Sequence, residues 1–261
     1  NHNEAASLFR YGYPKGQPYW NFTRLAVSTY SAETPEGYDP AFIYSSFEAM
    51  KTNPTESAAA ATALSTGVKT NNICLGVDPN GNSCRHIMED AEEMGKATGV
   101  VSTVYFSHAT PAGFIVHNAS RERYSDIANY MLWESAADVI IAAGHPWYND
   151  DGKQVGGWSP FLFHTSLRYD RVGGLDSWIK ILNGKPGADA DGDGIPDPWK
   201  FVETRQAIRS LSRGNPPKRV LGIAQVYTTF QQARIGNPYL EPYWDPLLAA
   251  SPTMKEIVAA A

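Results

Sequence analysis

The chain has 261 residues, of which 43% are hydrophobic, and a formal net charge of −5 at neutral pH. A chain of this length and composition can bury one sizeable hydrophobic core. The negative charge argues against a nucleic-acid partner, which needs a clustered basic surface. No apolar stretch approaches the roughly 20 residues of a membrane-spanning helix, so we expect no transmembrane segment.

The predicted elements alternate between strands and helices along the chain. Alternating apolar residues predict a strand over 25–30, and an alanine-rich run predicts a helix from Ser57 that stops at Gly67. The later predicted elements are a helix near 87–94, strands over 100–105 and 138–144, a helix over 124–136, and a final strand and helix over 219–226 and 253–260. Residues 149–198 are rich in Gly, Asp and Pro, which predicts a loop-rich insert. We therefore expect one α/β domain over 1–261, with a layered, mainly parallel central sheet flanked by helices.

The alanine-rich helix begins at Ser57, directly after Glu56. The unpaired N–H groups and the positive dipole end of a helix N-terminus favour an anion. A serine that forms a phosphate ester would gain from this position. The other interpretation is an ordinary N-cap, because serine is among the preferred residues there.

The two cysteines, Cys74 and Cys84, flank a short loop. We predict that they form a local disulfide, and two free thiols are the alternative. A disulfide implies an oxidising compartment, so we expect a periplasmic or secreted protein.

An acidic loop over 189–197 resembles the start of a calcium-binding loop. Its candidate ligands are the side chains of Asp189, Asp191, Asp193 and Asp197 and the backbone carbonyl of Ile195. Lys200 stands where such loops carry a bidentate acid, so one strong ligand has to come from elsewhere. We predict a structural calcium site, and a flexible acidic loop is the alternative.

Segments 56–70, 76–78, 108–112, 119–121, 219–223 and 252–256 occur in an order and at spacings that resemble the alkaline phosphatase family. The resemblance implies the layered α/β fold of that family. It also implies hydrolysis of a phosphomonoester substrate through a phosphoserine, with two zinc ions and one magnesium ion. The family is commonly dimeric, so a homodimer is compatible with the resemblance, although no residue pattern fixes it.

The resemblance assigns roles to individual residues. Ser57 matches the nucleophile, which is also a zinc ligand, and Arg121 matches the arginine that holds two phosphate oxygens with its planar guanidinium. Thr110 matches a magnesium ligand. His108 stands where the family has Asp or His, so we expect a weaker or indirect magnesium contact. Glu56 replaces the usual Asp that positions the arginine.

Other parts of the family pattern have no counterpart in this sequence. The N-terminal metal-binding motif and the late acidic and histidine ligands are not found, so we expect the central part of such a protein, incomplete at both ends. His117 also matches a family position, and we favour a structural role for it. The alternatives are a catalytically inactive chain that acts as a calcium-stabilised binding module, and a phosphodiesterase or sulfatase relative.

Overall fold

The computed structural model describes residues 30–156, 168–237, 239 and 246–261. The strand predicted over 25–30 lies almost entirely outside these residues. The described α-helices are α1 (Pro40–Ile43), α2 (Phe47–Met50), α3 (Ser57–Thr66), α4 (Ile87–Glu93), α5 (Ala109–Ala112), α6 (Tyr124–Trp133), α7 (Leu175–Leu182), α8 (Arg205–Ser210) and α9 (Met254–Ala260). The described strands are β1 (Gly99–Tyr105), β2 (Val139–Ala143), β3 (Lys200–Val202) and β4 (Val220–Ile223).

The four strands form one sheet in the order β1-β2-β4-β3, and every neighbouring pair is parallel. The two central strands, β2 and β4, are apolar and almost wholly buried, as expected for a parallel sheet that is covered on both faces. The predicted α/β fold with a parallel central sheet is therefore confirmed.

Successive residues of a strand point to opposite faces of the sheet, and helices pack against both faces. Ile140 packs into a large core that also contains residues of α6 and α7, including Met131 and Trp178. Ile141 packs on the other face in a smaller core with Ile208 of α8 and Ile257 of α9. The molecule is thus layered as helix, sheet and helix.

The region 149–198 contains more regular structure than the sequence predicts. Helix α7 lies within it and buries Trp178 and Ile181, whose spacing in the sequence is helical. Strand β3 and helix α8 follow and were not predicted, since β3 has only three residues and begins with an exposed lysine. No helix among the described residues is long and apolar enough to cross a membrane.

The predicted Cys74–Cys84 disulfide is absent from the structure, where both thiols are free. The backbone N–H of Cys84 donates to the carbonyl of Gly76, so Cys84 lies opposite Gly76 and not opposite Cys74. The Cys74 sulfur instead lies 3.5 Å from the carbonyl oxygen of Ala119. Burial raises the pKa of both thiols, with a smaller contribution from nearby carboxylates, and this disfavours the reactive thiolate.

Candidate active site

Ser57 is the first residue of α3, and the N-cap is Glu56. The Oε2 atom of Glu56 accepts a hydrogen bond of 2.8 Å from the backbone N–H of Ala58. Ser57 is exposed, whereas Ala58 is completely buried. The capping function therefore belongs to Glu56, and the Ser57 hydroxyl is available at the helix N-terminus.

The carboxylate of Glu56 also binds Arg121, through a contact between Oε1 and Nη1. Its second oxygen accepts a further hydrogen bond of 3.1 Å from the backbone N–H of Ile73. The carbonyl of Ile73 in turn accepts from the backbone N–H of Arg121 at 2.8 Å. One carboxylate thus joins the start of α3 to the segment that carries Arg121.

These contacts keep Glu56 ionised. Burial alone would raise the pKa of Glu56, but the hydrogen bonds from Arg121, Ala58 and Ile73 and the charge of Arg121 outweigh it and lower that pKa. The Arg121 side chain is 17% exposed and the Glu56 side chain 24% exposed. The ion pair is therefore mostly shielded from water, although part of each side chain remains exposed.

His108 contacts the other terminal nitrogen of Arg121, with Nε2 lying 3.0 Å from Nη2. A guanidinium can only donate, so Nε2 must be the unprotonated ring nitrogen. Burial, assisted by the charge of Arg121, lowers the pKa of His108 to about 4. His108 is the N-cap of α5, and its Nδ1 lies 3.4 Å from the backbone nitrogen of Thr110. The Thr110 residue is exposed.

Close packing fixes α3 against α5. A Cβ atom added to Gly113, which follows α5, would lie 2.5 Å from the Cβ of Ala61 in α3. The Ser65 hydroxyl of α3 also donates to the carbonyl of Gly113 at 2.5 Å. Because α3 and α5 are in contact, their packing fixes the position of Ser57 relative to Thr110.

Sequence reasoning missed a second cation beside this group, Arg171. Its guanidinium lies 3.9 Å from the ring centroid of Tyr105, and the same ring packs edge-on against His108 at 5.1 Å. The charge of Arg171 also contributes to the lowered pKa of His108. Arg171 lies in a short 3-10 helix over Asp170–Val172, and no motif marks it in the sequence, so only the fold reveals its position.

A second pair, the buried His145 and the partly exposed Glu203, also escaped the sequence analysis. These residues follow β2 and β3, so they lie at the carboxyl edge of the sheet, where parallel α/β folds usually bind ligands. His145 Nε2 lies 2.9 Å from Glu203 Oε2, and Gln225 donates to Glu203 Oε1 at 3.2 Å. Burial lowers the pKa of His145 despite the neighbouring carboxylate, and the hydrogen bond from His145 lowers the pKa of Glu203.

The candidate metal ligands near Ser57 are few. Ser57 and Thr110 offer hydroxyl groups, and His108 offers an imidazole whose Nε2 faces Arg121. In the described part of the chain, His, Cys, Asp and Glu side chains form groups of three or more at metal-binding distances in two places. These groups are His86, Glu89 and His117, and Asp189, Asp191 and Asp197. Neither includes His108, so the described residues do not complete a zinc or magnesium site around Ser57.

The acidic loop converges on a lysine. The Lys218 ammonium lies 2.6 Å from Asp191 and 2.7 Å from Asp197, with Asp193 at 3.4 Å. The hydrogen bonds from Lys218, with a smaller one from a backbone N–H, lower the pKa of Asp197. Asp189 instead accepts backbone hydrogen bonds, including 2.7 Å from Gly194 N. A cation of the chain itself thus offsets part of the negative charge of the predicted calcium ligands.

Comparison with protein families gives a match to the alkaline phosphatase model over residues 33–142. This segment contains α3, the Glu56–Arg121 pair and His108. The resemblance to the alkaline phosphatase family is confirmed. Alkaline phosphatase 4 of Bacillus subtilis is 43% identical over 102 residues, which are 37% of this chain and 22% of that protein. Alkaline phosphatase H of Pseudomonas aeruginosa is 31% identical over 172 residues, which are 65% of this chain and 33% of that protein.

Solved structures of alkaline phosphatases share the fold of this chain. The structure is similar to a cold-active alkaline phosphatase from the psychrophile Shewanella sp., with a TM-score of 0.54 and 25% identity over 89% of this chain and 45% of that one. It also shares its fold with alkaline phosphatase from the Antarctic bacterium TAB5, with a TM-score of 0.50 and 22% identity over 87% of this chain and 51% of that one. A mutant of the TAB5 enzyme has magnesium bound in its M3 site. The chain thus spans about half the length of these two enzymes, and its matches cover a third or less of the two curated relatives.

Proposed function

We propose that the chain belongs to a phosphomonoester hydrolase of the alkaline phosphatase type, with Ser57 as its nucleophile. The observation that carries this proposal is the exposed Ser57 hydroxyl at a helix N-terminus, next to a carboxylate that binds Arg121. The N-terminal N–H groups of α3 and the guanidinium both favour a bound phosphate.

In the proposed reaction, Ser57 Oγ forms a bond to phosphorus while the bond to the leaving-group oxygen breaks. The serine proton is lost to solvent or to a base, and the leaving alcohol gains a proton. Water then attacks the phosphoserine, which releases inorganic phosphate and restores Ser57. Arg121 stabilises the negative charge on the phosphoryl oxygens in both steps.

Glu56 and His108 orient Arg121 in this proposal. A guanidinium carries five N–H donors, so Arg121 keeps donors for phosphate beyond those that face Glu56 and His108. Because the Glu56 carboxylate also binds the N-terminus of α3, it fixes the phosphate-holding residue relative to the nucleophile. The neutral imidazole of His108 adds no positive charge that would repel Arg121, and it orients Nη2.

We propose zinc and magnesium as cofactors, with Ser57 on the zinc side and Thr110 and His108 near magnesium. Such ions would lower the pKa of bound oxygen groups and neutralise phosphate charge. The described residues fit this only in part, since a catalytic zinc needs about three protein ligands. The other ligands would have to come from residues outside the described ones or from another chain.

The remaining expectations concern the whole protein. We propose one domain over 1–261 that contains the insert at 149–198, because all four described strands lie in a single sheet. The absent disulfide gives no support to a periplasmic or secreted location, so we propose that location, and a homodimer, on the resemblance alone. Calcium at the acidic loop remains a proposal, in which the ion competes with Lys218 for Asp191 and Asp197.

Turnover of chromogenic esters tests the proposed function. We expect a phosphomonoester to be hydrolysed with added zinc and magnesium, and a Ser57→Ala variant to lose that activity. Ser120→Ala is a matched control, because Ser120 lies beside Arg121 in the chain without a proposed role. Faster hydrolysis of a phosphodiester or a sulfate ester would contradict the proposed substrate class. Activity that survives in Ser57→Ala would contradict the nucleophile.

A further inference from the structure

Three potential metal ligands, His86, Glu89 and His117, lie close together beside the segment that leads to Arg121. His86 is the N-cap of α4, Glu89 lies in the first turn of α4, and His117 belongs to a separate segment, four residues before Arg121. One ligand atom from each side chain lies within 4.8 Å of the other two. The imidazole rings of His86 and His117 stack with centroids 4.4 Å apart.

His86 is buried without a hydrogen-bond partner for its ring. Its side chain has 0% exposure, and neither Nδ1 nor Nε2 forms a hydrogen bond with another described residue. A buried polar atom without a partner costs roughly 1–3 kcal/mol, so native proteins seldom leave one unexplained.

The spacing of the three groups suits a small cation. Nδ1 of His86 lies 3.5 Å from Glu89 Oε2, and Nε2 of His117 lies 3.4 Å from Glu89 Oε1. Zinc bonds of about 2.0–2.1 Å in a tetrahedron put neighbouring ligand atoms about 3.3–3.4 Å apart. All three ligand atoms are within reach of one ion once the stacked imidazole rings turn so that the ion lies in the plane of each ring.

The backbone sets the tautomer that metal binding needs. His117 Nδ1 lies 2.7 Å from the carbonyl oxygen of Gly76, so this nitrogen carries a proton and donates it. In the neutral ring the lone pair is then on Nε2, which faces the carboxylate of Glu89. A histidine ligand that donates its other N–H to a backbone carbonyl is the usual arrangement around protein-bound metals.

We propose that His86, Glu89 and His117 form a binding site for a divalent transition-metal ion, separate from the candidate active site. Two imidazoles and one carboxylate are ligands that zinc accepts, and they leave a fourth position for water. The Glu89 side chain is 40% exposed, so an ion can enter from its side. The site does not depend on the proposed hydrolase activity.

A metal at this site would link α4 to two segments that support Arg121. One segment contains Leu75 and Gly76, and the other contains His117 and Asn118. They already pair through reciprocal backbone hydrogen bonds of 2.8 Å between Leu75 and Asn118. The ion would add α4 to this pair, which makes its proposed role structural.

Zinc binding to the chain by equilibrium dialysis tests the site, with cobalt as a spectroscopic substitute. A Ser57→Ala/His108→Asn background removes the imidazole of the candidate active site, and we expect it to bind one zinc per chain. Adding His86→Gln or Glu89→Gln should weaken binding at least about tenfold, since lost ligands cost more than lost outer-shell partners. His145→Gln is the matched control, because His145 is equally buried and, among the described residues, pairs with a single carboxylate, that of Glu203.

Circular dichroism checks that each variant is folded. If a ligand variant does not fold, X-ray absorption of zinc bound to the background protein decides, and we expect scattering from two imidazoles. The proposal is overturned if the folded background binds no zinc, if zinc binds without imidazole ligands, or if His86→Gln binds as tightly as the background. In each of these cases the contact between His117 and Glu89 holds no metal ion.

Discussion

Replacement of Glu56 by glutamine removes one charge but keeps the shape of the side chain. The carboxylate has two acceptor oxygens, and the amide has only one. If the amide oxygen faces the N–H groups of Ala58 and Ile73, the NH2 group points at the guanidinium of Arg121. In the flipped orientation the NH2 group faces two backbone donors. Glutamine therefore cannot satisfy both sets of contacts.

The cost follows from the contacts that are lost. A hydrogen bond to a charged group contributes roughly 1.5–3 kcal/mol, and a lost N-cap costs about 1 kcal/mol. Both side chains of the ion pair are less than one quarter exposed, so solvent screens them only in part. We expect Glu56→Gln to lower the free energy of unfolding by about 2 kcal/mol at pH 7.

The effect depends on pH with a defined sign. The pKa of Glu56 in the folded chain lies below its usual value of 4.5. The stability contributed by the ionised group is therefore complete above about pH 4.5 and is lost as the pH falls through the lower folded pKa. The difference between Glu56→Gln and the unmodified chain should shrink accordingly in acid.

Urea denaturation at several pH values measures this difference. Asp39→Asn is the matched control, because Asp39 caps α1 at an exposed position, where its Oδ1 accepts from Ala41 N at 2.9 Å. Asn and Asp are equivalent caps, so the control should change stability by less than about 0.5 kcal/mol. A Glu56→Gln effect no larger than the control, or one that grows in acid, would refute the role of Glu56 as the link to Arg121.

Other substitutions test the structure at separate places. Gly76→Ala should destabilise the chain by about 3 kcal/mol, because its Cβ would lie 2.4 Å from the carbonyl oxygen of Val116 at a φ of +59°; a urea midpoint close to that of the unmodified chain would contradict this geometry. Lys218→Ala should raise calcium affinity roughly fivefold in calorimetry, since it removes a charge close to three carboxylates; unchanged affinity would argue against a calcium site there. Glu256→Gln should cost about 1 kcal/mol at pH 7, because it removes the charge and leaves one acceptor oxygen for the two contacts of 2.9 and 3.0 Å with Arg205. The Arg205 hydrogen bonds lower the pKa of Glu256 to about 2, so this cost should decline below pH 4.5, and a cost independent of pH would count against the ion pair.

The local sequence predicts the helix at Ser57 and the central strands well. The alanine run and Gly67, which adopts a φ of +73°, set the bounds of α3, and a continuous apolar run marks the buried β2. These features depend on neighbouring residues only. The helix α7 carried a similar signal, but the surrounding Gly, Asp and Pro residues obscured it.

Contacts between distant residues were harder to predict. The resemblance indicated that Glu56 positions Arg121, yet the shared hydrogen bonds of Ile73 depend on the path of the backbone, which includes a φ of +66° at Ile73. The disulfide prediction failed because the spacing of the two cysteines does not reveal which residues face each other across the loop between them, and Cys84 faces Gly76. The position of Lys218 among the acidic side chains is likewise a property of the fold, since these residues are far apart in the chain.

Trapping of the phosphoryl group tests the central claim most directly. The chain is incubated with a phosphomonoester, zinc and magnesium, quenched in acid, digested and analysed by mass spectrometry. We expect one phosphoryl group on the peptide that contains Ser57, at the hydroxyl of that residue, and none in Ser57→Ala. Turnover with the phosphoryl group on a different residue, or turnover without any covalent phosphoryl group in a chain that binds the substrate, would contradict Ser57 as the nucleophile.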